Sequence, residues 1–284
     1  SVTDVVAEPG QPAEAAAVAA AIAGLENVDL VAIVHAEAAN GALNPLDEVA
    51  ALARAAGALL VVDAVASAGG HPLDIDAVGI DLCVLGPQKA LGGPTGLSMV
   101  AVSRRAFAAM AAASRPAPSL LSLLDIKEAW LDRGRGALPG TPPPLEFRAL
   151  AAALDRLEAE GLAARIDRHQ KAARASRAGL RALGVSPWIG DDARASALVT
   201  AAPVPQGIAA DDLIAAAARF GVALGRGFGS IEDRLVRFDH TGIRAAFPPV
   251  LGNVVAYGAA LQALGRDADI GAAAAAVTAV WQED

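Results

Sequence analysis

Residues 80–103 read IDLCVLGPQKALGGPTGLSMVAVS, and the reading of this stretch decides the fold. Two apolar runs, Ile80–Leu85 and Leu97–Val102, have the length of buried strands and are short for helices. Between them, GPQKALGGPTG holds too much Gly and Pro for regular structure, and it lets backbone come close to a ligand. Its one charge is Lys89. The chain has three lysines. Lys127 lies in DIKEAW and Lys171 in a strongly charged segment, where a solvated ammonium is the ordinary outcome. Lys89 instead follows a buried strand, with no charged neighbour from Cys83 to Met99. An ammonium withdrawn from water there releases its proton readily, as an amine nucleophile toward a carbonyl must. Against this stands the commoner fate of a lysine in a Gly-rich loop, which is to point into solvent.

Working outward, ALLVVDAV (Ala58–Val65) is a second buried strand, and it ends in Asp63, expected as a buried acid. In open α/β sheets ligands collect beyond the carboxyl ends of the strands. A carboxylate closing one strand and a lysine just past the next suit pyridoxal 5'-phosphate. The lysine holds the aldehyde as a Schiff base, and the carboxylate keeps the ring nitrogen protonated as an electron sink.

Composition narrows the alternatives. With 284 residues, 54% of them hydrophobic, the chain buries one large core or two moderate ones. A net charge of −8 and a pI near 5.0 argue against nucleic acid or an anionic membrane surface as partner. No apolar run approaches the roughly 20 residues that span a bilayer. The acidic start, SVTDVVAEPGQPAE, has no secretory or transit pattern. The single cysteine, Cys83, reads as a small core hydrophobe and permits no disulfide framework. A cytoplasmic protein is expected.

Strands are expected at Val2–Val6, Leu30–His35, Ala58–Val65, Ile80–Leu85 and Leu97–Val102. Pro9–Pro12 breaks the chain. Helices are expected at Ala13–Leu25, at Leu46–Ala56 closed by Gly57, at Arg104–Ala113 and at Leu120–Arg133. This alternation predicts right-handed crossovers and a mainly parallel sheet. Leu145–Leu183 reads as helical throughout, bent near Gly161, with apolar residues at three- and four-residue spacing. It joins a large α/β domain, residues 1–150, to a smaller C-terminal α+β domain, residues 151–284. The latter has strands at Ala197–Ala201, Val222–Leu224 and Leu235–Phe238, and helices at Ala209–Phe220 and Val250–Leu264.

VVDAVASAGG followed by GPQKALGGPTG resembles the class V aminotransferases of fold type I, in particular the alanine–glyoxylate and serine–pyruvate group, with similarity also to the pyridoxamine–pyruvate type. The resemblance runs from about His35 to Gly265. It implies Lys89 as the Schiff-base lysine and proton-transfer base, Asp63 as the partner of the ring nitrogen, Val65 packed on the ring, and Gln88 beside the phenolate oxygen. Gln88 favours a transaminase over a cysteine desulfurase, where histidine usually precedes the lysine. A desulfurase also needs a mobile cysteine, which Cys83 in a strand does not supply. Arg237, in LVRFDHTG, matches the arginine that forks onto the substrate carboxylate; the plainer reading is a surface ion pair. Thr141, in LPGTPPP, matches a threonine that reaches the neighbouring cofactor phosphate across a homodimer. His35 and Glu37 are expected to support the site without chemistry of their own. His71, His169 and His240 lie in unlike settings and suggest no metal.

Three positions depart from the family. Ala39 replaces a serine, Leu138 an aromatic residue, and Asp239 places an acid near Arg237. The family also has roughly a further hundred residues before this region, carrying the helix N-terminus that holds the cofactor phosphate. The reading that follows is an aminotransferase moving an amino group between a small amino acid or amine and a 2-oxo acid such as glyoxylate or pyruvate. Two alternatives stand beside it. One is a pyridoxamine–pyruvate-type enzyme that takes free pyridoxal or pyridoxamine as substrate, and the other is a truncated, non-catalytic paralogue.

Overall fold

The apolar runs around Lys89 pair side by side, since a strand inside a protein satisfies its backbone only against another strand. In the computed structural model, which describes residues 1–8, 11–113, 119, 121–136, 138 and 140–283, the first half contains α1 (Ala15–Ala23), β1 (Leu30–Val34), α2 (Leu46–Ala55), β2 (Leu59–Asp63), α3 (Ile75–Val78), β3 (Leu82–Leu85), β4 (Met99–Val102), α4 (Arg104–Ala112) and α5 (Leu123–Ile126). Then come α6 (Pro144–Glu160), α7 (Leu162–Ala182), β5 (Val199–Pro203), α8 (Ala210–Ala218), β6 (Gly225–Arg226), β7 (Leu235–Asp239), α9 (Phe247–Ala263) and α10 (Ile270–Gln282). Pro9 of the expected break and Leu120 of the expected helix lie outside the described residues. A π-helical turn at Lys127–Leu131 continues α5.

The first sheet runs β1-β2-β3-β4. Its first three strands are parallel, with Val34 opposite Asp63 and Asp63 opposite Val84, and β4 returns antiparallel to β3. Alternation then sorts the side chains. Leu60, Val62 and Cys83 pack with Leu46, Val49, Ala50 and Ala53 of α2 into one core. The other face is only half-covered: Leu30 is 48% and Val100 37% exposed. The runs expected as fully buried strands are therefore buried on one face. Val2–Val6 is not a strand. Val2 and Val6 are 90% and 86% exposed, and Val2–Val6 pairs with no strand among the described residues.

The helical stretch Leu145–Leu183 breaks at Gly161. Its φ of 84° and ψ of 135° leave the helical region, and a side chain there would be strained. Beyond it, β5, β7 and β6 form an antiparallel sheet over a second core that includes Leu180, Leu213, Phe238, Val254, Tyr257 and Val277. Phe238 and Tyr257 meet edge to face with ring centroids 5.2 Å apart, and burying such side chains contributes roughly 1.5–3 kcal/mol each. Helix α10 comes from the alanine-rich window near the C-terminus; its N-cap Asp269 accepts from the Ala272 N–H. Among the described residues no helix is long and apolar enough to cross a membrane.

The two sheets are tied by backbone bonds. Ser196 donates to Gly41 O at 2.7 Å, Leu43 donates to Arg194 O at 2.8 Å, and the Ala197 N–H donates to Nε2 of His71 at 2.8 Å. Ala90, Ala197, Leu198 and Val199 pack together at the same junction. All four histidines of the chain are buried here or nearby. His35 and His71, far apart in sequence, lie 5.8 Å apart by ring centroid. The settings that looked unrelated along the chain thus converge, and backbone groups engage the His71 and His169 rings.

Burial pushes His71 down to about 3 from an ordinary 6.5, with His35, His169 and Arg177 adding to the effect. Burial likewise pushes His240 to about 3, reinforced by Arg177. Folded histidines of this kind stay neutral while unfolded ones take up protons. Their contribution to stability is complete above pH 6.5 and is lost as pH falls towards 3. Each group adds a slope of about 1.4 kcal/mol per pH unit in that window. Denaturation midpoints measured from pH 7 to pH 4 should therefore fall steadily, and His71→Gln should reduce the slope by about one proton. A flat profile would contradict this assignment.

Candidate active site

Asp63 is the last residue of β2, and its neighbours in sequence determine how it is held. Ala64 leaves the strand, donating to Val84 O, and the Val65 N–H turns back to donate to Asp63 Oδ1 at 2.9 Å. Asp63 is exposed, contrary to the expected buried acid. Alternation puts it on the face opposite Leu60 and Val62, away from the core under α2. Val65 and Lys89 are half-buried, and Gln88 is exposed.

Gly86 explains how two of these residues, Val65 and Gln88, come together. A Cβ built on it would lie 2.7 Å from Val65 Cγ1 and 2.7 Å from Gln88 Oε1. The Val65 and Gln88 side chains therefore close over a backbone that only glycine leaves free. Lys89 follows in a turn whose carbonyls are taken up locally: Gly93 donates to Pro87 O at 2.7 Å and Gly92 to Lys89 O at 3.0 Å. Lys127 and Lys171 have other occupations. Lys127 pairs with Asp132 at 2.6 Å, and Lys171 donates to the Glu283 carbonyl.

Arg237 lies on β7 of the second sheet. Its Nε donates to Arg226 O at 2.6 Å and its Nη1 to Ala38 O at 2.8 Å, in the loop beyond β1. The Phe228 ring lies 4.4 Å from the guanidinium carbon, a cation–π contact that braces its plane. Burial lowers Arg237 from its usual value, while Asp239 and Glu37 oppose the shift. Asp239 is occupied elsewhere: it accepts from the Thr241 N–H at 2.9 Å and pairs with Arg244 at 3.3 Å. Among the described residues Arg237 forms no ion pair.

Other expected positions divide. His35 caps β1, donating its N–H to Asp63 O at 2.9 Å, and Glu37 accepts from the Ala39 N–H at 2.8 Å. Ala39, where the family has serine, packs on Ala201, Ile231 and Leu235. Thr141 is exposed in the loop before α6, and none of the contacts above reaches it. Cys83 is fully buried, and burial raises its thiol to about 11, so it supplies no thiolate. Phe228 escaped the sequence reading, although its place in GRGFGS, a flexible stretch just before Arg237, was a signal.

The chain matches the family Aminotransferase class-V over residues 2–247. It belongs to that family. It is 40% identical over 260 residues to the pyridoxamine–pyruvate transaminase of Mesorhizobium japonicum, covering 90% of this chain and 65% of that protein. The crystal structure of the pyridoxamine–pyruvate aminotransferase from Mesorhizobium loti superposes with a TM-score of 0.88 and 37% identity, over 94% of this chain and 68% of the other. An alanine–glyoxylate aminotransferase from Nostoc gives a TM-score of 0.80 at 27% identity, over 89% and 66% of the two chains. The fold is thus that of the type I pyridoxal-phosphate transferases, a mixed sheet with flanking helices. The chain spans between 54% and 65% of the length of three curated relatives that it matches.

The donor set suits the ring and aldehyde ends of such a cofactor: a carboxylate and an amine at neighbouring strand ends, with an amide and a branched aliphatic side chain closing over Gly86 between them. Replacing Gly86 by Ala forces Val65 or Gln88 aside. Overpacking of this kind costs about 1–3 kcal/mol, so the Gly86→Ala variant should show a lower denaturation midpoint and a weaker response to added pyridoxal. Unchanged behaviour in both would remove Gly86 from the site.

Proposed function

We propose that this chain is the catalytic portion of an aminotransferase that moves an amino group between a small amino acid or amine and a 2-oxo acid such as pyruvate or glyoxylate. The observation that supports the reading is the meeting of the Val65 and Gln88 side chains over Gly86, with Asp63 bonded to the Val65 N–H and Lys89 next in the chain to Gln88. When bound, pyridoxal phosphate supplies an aldehyde for an amine and a ring that accepts the electron pair left when the substrate Cα–H bond breaks.

Lys89 would hold the aldehyde carbon through Nζ and afterwards carry the proton taken from the substrate Cα. Asp63, anchored by the Val65 N–H, would keep the ring nitrogen protonated. Val65 would pack on the ring, and Gln88 would donate to the phenolate oxygen. Arg237 would grip the substrate carboxylate with the donors left after Arg226 O and Ala38 O are served. Thr141, exposed in the loop before α6, is assigned to the phosphate of a second copy in a two-fold homodimer. We place the protein in the cytoplasm, as suits a cysteine kept reduced in the core. We divide it into a cofactor-binding portion, residues 1–150, and a connector with a small domain, residues 151–284.

A variant of this reading takes free pyridoxal or pyridoxamine as substrate. It is supported by the 40% identity to a pyridoxamine–pyruvate transaminase.

Adding pyridoxal phosphate or pyridoxal should produce a band near the visible edge, absent from Lys89→Ala. Borohydride reduction and peptide mapping should then place the label on Lys89. A label on Lys127 or Lys171 instead would overturn the assignment, and equal affinity for the two vitamers would favour the free-vitamer variant. In Arg237→Ala the band should persist while the KM for pyruvate or glyoxylate rises roughly tenfold to hundredfold, the value of a charge-assisted hydrogen bond.

A further inference from the structure

The break at Gly161 sets up a group of charges that the site itself does not use. Glu160 ends α6, and Arg165 and Arg168 lie near the start of α7. A helix's own dipole disfavours cations at that end, so these arginines need a reason to be there. Glu160 offsets the mismatch. Its Oε2 pairs with Arg165 at 2.8 Å and its Oε1 with Arg168 at 2.6 Å.

Each arginine then spends its outer donors on a different loop. Arg165, whose side chain is 8% exposed, gives Nη1 to Ala90 O at 3.2 Å and Leu91 O at 3.0 Å, the two carbonyls directly after Lys89. Arg168 gives Nη1 to Gly242 O at 2.6 Å and Ala245 O at 3.1 Å, in the turn that follows Arg237 and Asp239. His169 completes the link. A carbonyl on one ring nitrogen and an N–H on the other allow one neutral tautomer: Nδ1–H donates to Arg165 O at 2.8 Å, and Nε2 accepts from the Gly242 N–H at 2.9 Å. The two loops also touch, since a Cβ on Gly242 would lie 3.4 Å from Lys89 O.

We propose that Glu160, Arg165 and Arg168 form a clamp, held together by one shared carboxylate, that positions the Lys89 loop and the Arg237 turn relative to each other. The proposal rests on the roles given above to Lys89 and Arg237. A loop with glycines at 86, 92, 93 and 96 has many conformations to lose, and Arg165 removes that freedom from behind, touching neither cofactor nor substrate. Arg165 acts as the positioning residue for the lysine, Arg168 as that for the carboxylate-binding arm, and Glu160 couples the two.

Hydrogen exchange on the full protein separates the parts. In Arg165→Gln, where Glu160 keeps Arg168 as a partner, the Gly92 and Gly93 amides should exchange roughly tenfold faster while Arg244 and Ala245 keep their parental protection. Arg168→Gln should give the reverse, and Glu160→Gln should loosen both. Arg165→Lys retains the charge but not the fork, so loosening should again be confined to Gly92 and Gly93. With pyridoxal added, Arg165→Gln should slow labelling of Lys89 about tenfold at unchanged KM for pyruvate, whereas Arg168→Gln should raise that KM at an unchanged labelling rate. Exchange that rises equally through β2, β3 and α7, or parental exchange in both loops, would overturn the clamp. Failure of the parent protein to form any adduct at Lys89 would instead overturn the role of Lys89, and the exchange pattern would still decide the clamp.

Discussion

The backbone carbonyls from Pro87 to Leu91 belong to a segment that is neither helix nor strand, beside a packed junction, and they need hydrogen-bond donors that regular structure does not provide. The Pro87 and Lys89 carbonyls find theirs within the loop, from Gly93 and Gly92. Those of Ala90 and Leu91 find theirs in Arg165, which comes from a helix more than seventy residues away in sequence. The position of Lys89 depends on this satisfaction. Without it the Gly-rich loop has no reason to prefer one conformation.

The same economy runs through the junction of the two sheets. Histidine serves there as a neutral acceptor and donor for backbone groups, and this works only while the imidazole remains uncharged. Arg237 bonds to carbonyls of Arg226 and Ala38 and so spans the same junction. The two acids whose charge reaches it are held by their own neighbours: Asp239 by Thr241 and Arg244, Glu37 by the Ala39 N–H. Among the described residues the guanidinium forms no ion pair, and its hydrogen bonds through Nε and Nη1 go to carbonyls.

The departures from the family take on local meanings. Ala39 sits in an apolar cluster where a hydroxyl would have to find a partner. Cys83 lies in the core of the sheet with its thiol pushed up, so it supplies no thiolate. Val65 and Gln88 close over Gly86, and Thr141 is exposed in the loop before α6.

How much of this was legible beforehand differs by scale. The strand ends, the Gly-Pro loop and the isolated Lys89 were readable because short apolar runs and turn residues act locally, and the bend at Gly161 was readable because glycine weakens a long helical pattern, although Gly179 in the same stretch stays helical. The exposure of Asp63 was not readable: alternation assigns it to one of two faces, but only the packing of α2 decides which face is buried. Val2–Val6 failed as a strand for a related reason, since pairing depends on a neighbour and not on composition.

Sequence by itself determined the class of fold, because periodicity and turn chemistry are properties of neighbouring residues, while most of the candidate site residues came from resemblance to the class V family. Tertiary structure alone decided that Glu160, Arg165 and Arg168 stand behind Lys89 and Arg237, and that four scattered histidines gather at one junction. A charged residue on a helix looks the same in sequence whether its partner is water or a carbonyl seventy residues away. Only burial, which excludes water, forces that partner to be found within the protein.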